Sequence, residues 1–230
     1  MLGRHGDIKP ENILYFGEPG SGRCYLVVAD FTLMRFHSAD TIHYTEANRV
    51  NFSRTYRPPE VMQASKVRID QSYDVWTLGC VYLEFVTWYL MGYRAIREES
   101  FSPPTREMLD SFQALRTKEE GKIGDLDDKF FYYFAGKPKV KQSVRQWIRM
   151  LHWNEHCSFA MHDFLALIEN HMLVPLPSGR YAMRQVSDAL RKIAAECDRE
   201  DCYRFKGSPQ QSFSEKIMDL FSLARYSSLV

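Results

Sequence analysis

Apolar residues recur with two different periods along the chain, and the change of period separates a β-rich beginning from a helical remainder. Two short apolar runs, residues 13–16 and 25–29, flank residues 17–22, which are rich in glycine and proline. Such runs around a glycine- and proline-rich turn predict a β-hairpin. Residues 32–56 are polar and weakly periodic. We therefore expect a long loop there, which in a compact domain is usually functional.

After Pro58 and Pro59, apolar residues recur at helical spacing. This pattern predicts helices near residues 60–64, 74–91, 105–116, 140–151, 158–170 and 182–194. Polar residues dominate from 197 to 211 and predict a linker, after which an amphipathic helix begins near Phe213. That last helix either docks back on the domain or binds a partner. The predicted fold class is mainly α with a small β-hairpin.

The longest apolar stretch, residues 75–93, has the length of a membrane span. Glu84 lies near its middle, and an unpaired carboxylate in hydrocarbon costs about 2.5–3.5 kcal/mol on insertion scales. Thr77 and Gly79 also interrupt the stretch. We therefore expect a helix that is buried on all sides within a helical domain, and no contact with a membrane.

Charge and cysteine content narrow the class of protein. The formal net charge is +1 at pH 7, which argues against a broad basic surface that would bind nucleic acid or acidic lipid. The five cysteines lack C-x-x-C spacing, so we expect reduced thiols, with Cys197 and Cys202 unpaired rather than a redox pair. The first residues match neither a signal peptide nor a transit peptide. These features predict an intracellular protein, either cytoplasmic or nuclear.

One short stretch, residues 5–13 with the sequence HGDIKPENI, carries the groups that phosphoryl transfer needs. Asp7 can accept the proton of an attacking hydroxyl, and Lys9 can neutralise charge on a transferring phosphate. Asn12 offers an oxygen ligand for a hard Mg²⁺ ion. Pro10 keeps the segment out of a helix, which would scatter these groups around a cylinder.

This stretch resembles the catalytic loop of serine/threonine protein kinases, H-R-D-x-K-P-x-N. Four further motifs of that family follow in the family's order. Residues 29–31 (ADF) resemble the metal-binding D-F-G, and residues 56–60 (YRPPE) resemble Y-x-A-P-E. Residues 73–80 (YDVWTLGC) resemble D-V-W-S-L-G, and residues 172–180 resemble M-L-x-x-x-P-x-x-R. Residues 5 to about 194 are thus similar to a kinase C-terminal lobe. The residues around the motifs, including YRPPE and the LEFVTW helix, resemble fungal serine/threonine kinase-like proteins more weakly.

The resemblance implies transfer of phosphate from ATP, with Mg²⁺, to hydroxyl groups of a protein substrate. Asp7 would orient the substrate hydroxyl and accept its proton. Lys9 would contact the transferring phosphate of ATP and favours serine/threonine specificity, and Ser53 would replace the conserved threonine that touches both. Asn12 and Asp30 would hold Mg²⁺ against the nucleotide phosphates.

The resemblance also implies two structural contacts. Asp74 would brace the catalytic loop from below by accepting backbone N–H bonds. Glu60 and Arg180 would form the buried ion pair of the lobe, and breaking such a pair on one side typically costs about 3–5 kcal/mol.

The sequence departs from the family's pattern at three places. Gly6 replaces the arginine that reads phosphate on the activation loop, so we do not expect switching by loop phosphorylation. Thr32 replaces the glycine after Asp30 and Phe31, and a β-branched residue should restrict flipping of that segment. No glycine-rich loop or nucleotide-contacting lysine precedes residue 5, and residues 17–22 are predicted to be a hairpin turn.

These departures lead to our expectation of a partial kinase domain, residues 1–194, that lacks the ATP-gripping N-terminal lobe, followed by a tail, residues 195–230. We expect little or no kinase activity from this chain alone. The helix at residues 75–93 should then expose an apolar face that a partner covers. The alternative is a catalytically impaired, pseudokinase-like scaffold or binding module, for which Gly6 and Thr32 would mark relaxed catalytic constraint.

Two further patterns allow alternative interpretations. Residues 152–156 (HWNEH) match the zinc-protease motif H-x-x-E-H, in which two histidines share a helix face. A zinc site would need a third ligand, and an ordinary surface connection between two helices is the interpretation we favour. The basic residues between Lys137 and Lys141 could form a docking or localisation patch. We instead expect a solvated loop before the next helix.

Overall fold

The structure, a computed structural model, describes residues 2–17, 24–37, 44–46, 54–62, 66–68, 70–97, 111–119 and 128–207. Its helices are α1 (Gln71–Met91), α2 (Phe112–Lys118), α3 (Gln142–His152), α4 (Phe159–Leu167), α5 (Met183–Arg199) and α6 (Asp201–Phe205). Its strands are β1 (Leu2–Arg4), β2 (Ile13–Gly17), β3 (Cys24–Val28), β4 (Arg35–His37), β5 (Tyr44–Glu46), β6 (Lys66–Arg68), β7 (Phe131–Phe134) and β8 (Lys137–Val140). The architecture is mainly helical, as predicted.

The strands form small antiparallel pairs rather than one extended sheet. The pairs are β1 with β4, β2 with β3, β5 with β6, and β7 with β8. In the second pair Ile13 lies opposite Val28 and Phe16 lies opposite Tyr25, so the hairpin predicted around residues 17–22 is confirmed. The pairing of β1 with β4 ties the beginning of the chain to residues 35–37, within the segment for which the sequence predicts only a loop.

Helix α1 forms the centre of the core. The Asp70 side chain caps its N-terminus by accepting a hydrogen bond of 2.9 Å from the backbone N–H of Ser72. At Gly79 a Cβ atom would lie 2.9 Å from Met172 Cβ, which explains why the helix carries glycine there. The prediction of a helix buried on all sides is confirmed by its fully buried residues, which include Val75, Trp76, Cys80, Val81 and Leu83. Among the described helices, none combines the length and apolarity needed to cross a membrane.

The exposed apolar surface lies largely on a different element from the one predicted. Helix α1 exposes mainly Trp88 and Tyr89 near its C-terminus, and most of its remaining length is buried. The hairpin of β2 and β3 instead exposes six apolar side chains on consecutive strand positions: Leu14, Tyr15, Phe16, Tyr25, Leu26 and Val27. Contiguous exposed apolar side chains of this kind are uncommon on the surface of a monomeric protein.

Lys137 and Lys139 are exposed to solvent as predicted, but they belong to strand β8 rather than to a loop. Strand β8 pairs with β7 through a turn at Ala135 and Gly136, both of which have positive φ. Lys141 follows the strand and is fully buried, with its Nζ donating a hydrogen bond of 2.8 Å to the backbone carbonyl of Arg116. Because this lysine is enclosed, it cannot belong to a surface docking patch.

The linker predicted from residue 197 is helical in the part that the structure describes. Helix α5 continues to Arg199 and α6 follows at Asp201. Tyr203 donates a hydrogen bond of 2.8 Å to the Asp163 carboxylate, and Gly207 pairs with Ser158 in an isolated β-bridge. The chain after α5 therefore packs back on α4. Phe213 and the predicted amphipathic helix lie outside the described residues, and the division into residues 1–194 and 195–230 stays a prediction.

Candidate active site

Asp74 holds the loop of residues 5–13, which we call the catalytic loop after the motif it resembles, as the sequence predicts. The two carboxylate oxygens of Asp74 accept backbone N–H bonds from His5 at 2.7 Å and from Gly6 at 2.9 Å. Burial raises the pKa of Asp74, while these two N–H groups favour the ionised form and oppose that shift. Gly6 adopts a φ of +87°, and a Cβ there would lie 3.2 Å from the carbonyl oxygen of Leu33. A side chain at this position would strain the loop.

His5 joins the catalytic loop to the segment that contains Asp30. Its Nε2 lies 3.1 Å from the carbonyl oxygen of Ala29, and its Nδ1 accepts a bond of 3.3 Å from the backbone N–H of Asp7. A neutral imidazole with the proton on Nε2 satisfies both contacts. The ring also packs edge-on against Phe31, with the ring centroids 5.3 Å apart.

Asp7, Lys9 and Asn12 are in direct contact. Lys9 Nζ lies 2.7 Å from Asp7 Oδ2, and the Asn12 side-chain amide donates to the same oxygen at 3.1 Å and to the Asp7 backbone carbonyl at 2.8 Å. The hydrogen bond with Asp7 raises the pKa of Lys9, so the lysine is charged. Both of these side-chain contacts use Oδ2, so Asp7 Oδ1 is directed elsewhere.

Asn12 is oriented by its contacts on both sides. The residue ends a 3₁₀ turn, Pro10–Asn12, and its backbone carbonyl accepts a bond of 2.8 Å from the N–H of Ala29. Because the amide nitrogen of its side chain faces Asp7, the amide oxygen faces away from that carboxylate. The side chain can therefore offer its amide oxygen as a ligand to a cation.

Asp30 is exposed and adopts a left-handed conformation with φ of 63°. Its Oδ1 accepts hydrogen bonds from both the backbone N–H and the hydroxyl of Thr32. Both bonds lower the pKa of Asp30, the hydroxyl bond more than the backbone bond, and this keeps the carboxylate ionised. Sequence reasoning treated Thr32 only as a loss of glycine and missed that its hydroxyl holds the carboxylate.

The donor set of Asn12 and Asp30 fits Mg²⁺, which prefers carboxylate and amide oxygens and retains several waters. The two residues lie on adjoining segments that the contacts of Ala29 hold together. Ser53, predicted to contact both substrate and phosphate, lies outside the described residues. The roles of all five predicted site residues remain predictions.

The predicted ion pair of Glu60 and Arg180 is confirmed. The guanidinium makes two bonds of 2.8 Å to the two carboxylate oxygens of Glu60, with Arg180 fully buried. Arg180 also donates to three backbone carbonyl groups, those of Ser72, Val174 and Pro175. This pair therefore holds residues 59–62, which contain Glu60, against the N-terminus of α1.

Sequence reasoning missed a second buried network next to the site. Glu84 lies 3.2 Å from Arg116, and Tyr56 donates a bond of 2.7 Å to the other Glu84 oxygen. The Arg116 guanidinium lies 4.1 Å and 4.2 Å from the ring centres of Phe112 and Phe130. The signal available in the sequence was a carboxylate in the middle of an apolar helix, which requires a buried partner.

The comparisons with known proteins agree with this geometry. A family model described as "Protein kinase domain" matches residues 4–190. The chain is 37% identical over 83 residues to "Probable serine/threonine-protein kinase dyrk2" of Dictyostelium discoideum, a match that covers 36% of this chain and 8% of that protein. It is 36% identical over 83 residues to "Cyclin-dependent kinase 2" of Caenorhabditis elegans, covering 36% of this chain and 20% of that protein.

A longer match shows the same family. The chain is 31% identical over 106 residues to "Cyclin-dependent kinase E-1" of Arabidopsis thaliana, covering 46% of this chain and 22% of that protein. The chain thus spans only a small part of the length of the curated relatives it matches. Since the family model covers more than half of the chain, the chain belongs to the protein kinase domain family and is of the eukaryotic serine/threonine kinase type.

Proposed function

We propose that this chain provides the catalytic loop of a serine/threonine protein kinase, which transfers the γ-phosphate of ATP to hydroxyl groups of a protein substrate. The observation that carries the proposal is the contact of Asp7 with Lys9 and Asn12 on a loop fixed by Asp74. The names of the relatives, which are serine/threonine and cyclin-dependent kinases, support the same substrate class.

The two carboxylate oxygens of Asp7 would have different roles in the reaction. Oδ2 is engaged by Lys9 and Asn12, and this leaves Oδ1 as the atom to orient the substrate hydroxyl and accept its proton. Lys9 would stay protonated and neutralise charge on the transferring group. Bound ATP and Mg²⁺ supply the phosphoryl group and its charge neutralisation, and Asn12 and Asp30 would hold the metal.

We further propose that the 230-residue chain by itself has little or no kinase activity. Positioning of the nucleotide supplies most of the catalysis in phosphoryl transfer, and the sequence contains no glycine-rich phosphate loop upstream of Asp7. The exposed apolar hairpin of β2 and β3 is the surface that a nucleotide-gripping segment or a partner protein would cover.

A scaffold or binding module is the second candidate function. Gly6 and Thr32 favour it, because both depart from the kinase motifs, and Thr32 engages one carboxylate oxygen of Asp30. In that case the exposed hairpin would bind a partner without any transfer of phosphate.

The deciding experiment isolates the native gene product from its source cells with an antibody against residues 208–230. Phosphate incorporation into a general serine/threonine substrate is then compared between wild type and Asp7→Asn, with Mg²⁺ and labelled ATP. We expect the substitution to reduce transfer by about 10²- to 10⁴-fold. Equal incorporation by both proteins, or none by the wild type, would favour the scaffold. Transfer by the purified 230-residue chain that Asp7→Asn abolishes would refute its proposed inactivity.

A further inference from the structure

Three residues with metal-binding side chains meet where α3 passes into α4, away from the catalytic loop. They are His152 at the end of α3, Cys157 in the connection, and His162 in the first turn of α4. One ligand atom from each lies within 4.8 Å of the others. His152 Nδ1 is 2.6 Å from His162 Nδ1, and Cys157 Sγ is 3.8 Å from His162 Nδ1.

The connection that presents this cluster is built from several backbone contacts. The N–H of Cys157 donates to the carbonyl of Asn154 at 2.9 Å, and the N–H of His162 donates to the carbonyl of Ser158 at the same distance. Gly207 approaches the connection so closely that a Cβ there would lie 2.0 Å from the carbonyl oxygen of Glu155. The three side chains are therefore preorganised rather than brought together by chance on a free loop.

The two histidines face each other in a way that calls for a shared proton or a cation. Their rings are nearly parallel, at 7°, with centroids 5.0 Å apart. Two Nδ1 lone pairs at hydrogen-bond distance repel unless something positive lies between them. Burial lowers the pKa of both His152 and His162 and favours the neutral imidazole, which is the form that binds metals.

We propose that His152 Nδ1, Cys157 Sγ and His162 Nδ1 form a binding site for Zn²⁺, with the fourth position open to solvent or a further ligand. Imidazole nitrogen and cysteine sulfur are both ligands of Zn²⁺ in proteins, and Zn²⁺ sites with three protein ligands keep a fourth position open. A tetrahedral ion with Zn–N of about 2.05 Å and Zn–S of about 2.3 Å places nitrogen and sulfur about 3.6 Å apart and two nitrogens about 3.3 Å apart. The observed Sγ–Nδ1 distance fits, and the two rings must separate by about 0.7 Å.

Binding converts the Cys157 thiol to a thiolate. The S–H bond breaks, the sulfur lone pair binds Zn²⁺, and the proton passes to solvent. Burial raises the pKa of Cys157 to about 12, so this proton is bound at neutral pH until the cation displaces it. A coordinating thiol loses its proton when it ligates Zn²⁺.

The proposed site differs from the one that the H-x-x-E-H pattern suggests. That pattern requires His152 and His156 on one helix face, but α3 ends at His152. The His156 side chain is 74% exposed and pairs with the carboxylate of Glu155 at 3.6 Å. The second histidine of the cluster is therefore His162, which lies ten residues after His152.

The test is a titration of the full 230-residue chain with Co²⁺, whose thiolate charge-transfer absorption reports cysteine ligation, followed by displacement with Zn²⁺. We expect one equivalent to bind, with a Zn²⁺ Kd of about 1 µM or tighter. Cys157→Ser and His162→Gln should each weaken binding more than about 100-fold, because losing a ligand costs more than losing one of its supporting contacts. The matched controls His156→Gln and Cys202→Ser should bind as wild type does.

A second readout protects the test against misfolded variants. Circular dichroism of each variant without metal establishes that it folds, and Zn²⁺ at about 100 times its Kd should raise the Tm of wild type by about 5–10 °C. Wild type that shows neither thiolate absorption nor a shift in Tm would overturn the proposal and leave a hydrogen-bonded histidine pair. Loss of binding in His156→Gln with retention in Cys157→Ser would overturn it in favour of the sequence motif. Neither readout depends on kinase activity.

Discussion

Two carboxylate–cation pairs in this molecule have similar contacts and opposite surroundings. The Asp7–Lys9 pair spans 2.7 Å, with side chains 10% and 27% exposed, whereas the Glu84–Arg116 pair spans 3.2 Å, with side chains 3% and 1% exposed. Asp7 uses one carboxylate oxygen for its described side-chain contacts, and Glu84 uses both of its own. A partly exposed carboxylate that keeps one oxygen free of these side-chain contacts can act on a substrate. A buried carboxylate with both oxygens engaged can only stabilise the fold.

The difference follows from the surrounding dielectric. An ion pair that remains in contact with water contributes only about 0–1 kcal/mol to stability, so it can be rearranged when a substrate arrives. A buried pair that loses one partner leaves a charge without compensation, which costs about 3–5 kcal/mol. The comparison therefore predicts that substitutions at the two carboxylates will separate activity from stability.

The largest effect is expected from Asp7→Asn in the native gene product. The amide keeps the shape of the side chain but cannot accept the hydroxyl proton, so phosphate transfer should fall by about 10²- to 10⁴-fold. The free energy of unfolding should change by less than about 1 kcal/mol, since the lost ion pair is partly exposed. Kinetics with labelled ATP and urea denaturation measure the two effects. A loss of stability as large as that of a core substitution would show that Asp7 is a structural residue and that the two carboxylates do not separate activity from stability.

The next effect is expected from Glu84→Ala. Removal of this carboxylate leaves the Arg116 guanidinium charged in the core and takes away the acceptor of the Tyr56 hydroxyl. The free energy of unfolding should fall by about 3–5 kcal/mol. Asp188→Ala is the matched control, because it breaks an exposed pair with Arg191 on α5 and should cost at most about 1 kcal/mol. Similar losses in both variants would show that burial does not decide the value of these pairs.

A smaller effect is expected from Asp74→Asn, which touches the support of the catalytic loop. The substitution turns an amide N–H₂ toward a backbone N–H of His5 or Gly6, so one donor loses its acceptor. This should cost about 1–3 kcal/mol in stability. Asp70→Asn is the control, since asparagine caps a helix as well as aspartate does. If urea denaturation shows no difference between the two variants, Asp74 does not brace the loop.

Local features of this fold could be predicted from the sequence, whereas contacts between distant charged residues could be predicted only where the family pattern carries them. The spacing of Asp7, Lys9 and Asn12 over six residues places them together in a single loop, and the hairpin of β2 and β3 follows from its turn residues. The motif resemblance also gave the long-range Glu60–Arg180 contact, because the family pattern carries it.

The contacts that could not be predicted from the sequence have one physical cause in common. Lys141 and Arg116 belong to residue types that usually lie at the surface, so only their tertiary neighbours determine that they are enclosed. Strand β1 has three residues, too few to show a period, and it pairs with β4 more than thirty positions away. The sequence contains these residues but no local signal for the partners that they meet.

The smallest effect is expected at the turn of the β7–β8 hairpin, remote from the catalytic loop. Ala135 is exposed and has a φ of 49°, a conformation that asparagine adopts more readily than alanine in a two-residue hairpin turn. Ala135→Asn should therefore raise the free energy of unfolding by about 0.5–1 kcal/mol, and Ala135→Val should lower it.

The turn lies on a different element from the members of both ion pairs. The gain from Ala135→Asn should appear unchanged in the Glu84→Ala background, since distant sites without shared partners add to within about 0.5 kcal/mol. Urea denaturation of the single and double variants measures this additivity. If the gain in stability disappears in the double variant, the hairpin and the buried pair are energetically coupled. Lys141 after β8 would provide the connection, because its Nζ donates to the Arg116 carbonyl. The buried network would then extend to the hairpin, and its cost could no longer be assigned to Glu84 and Arg116 alone.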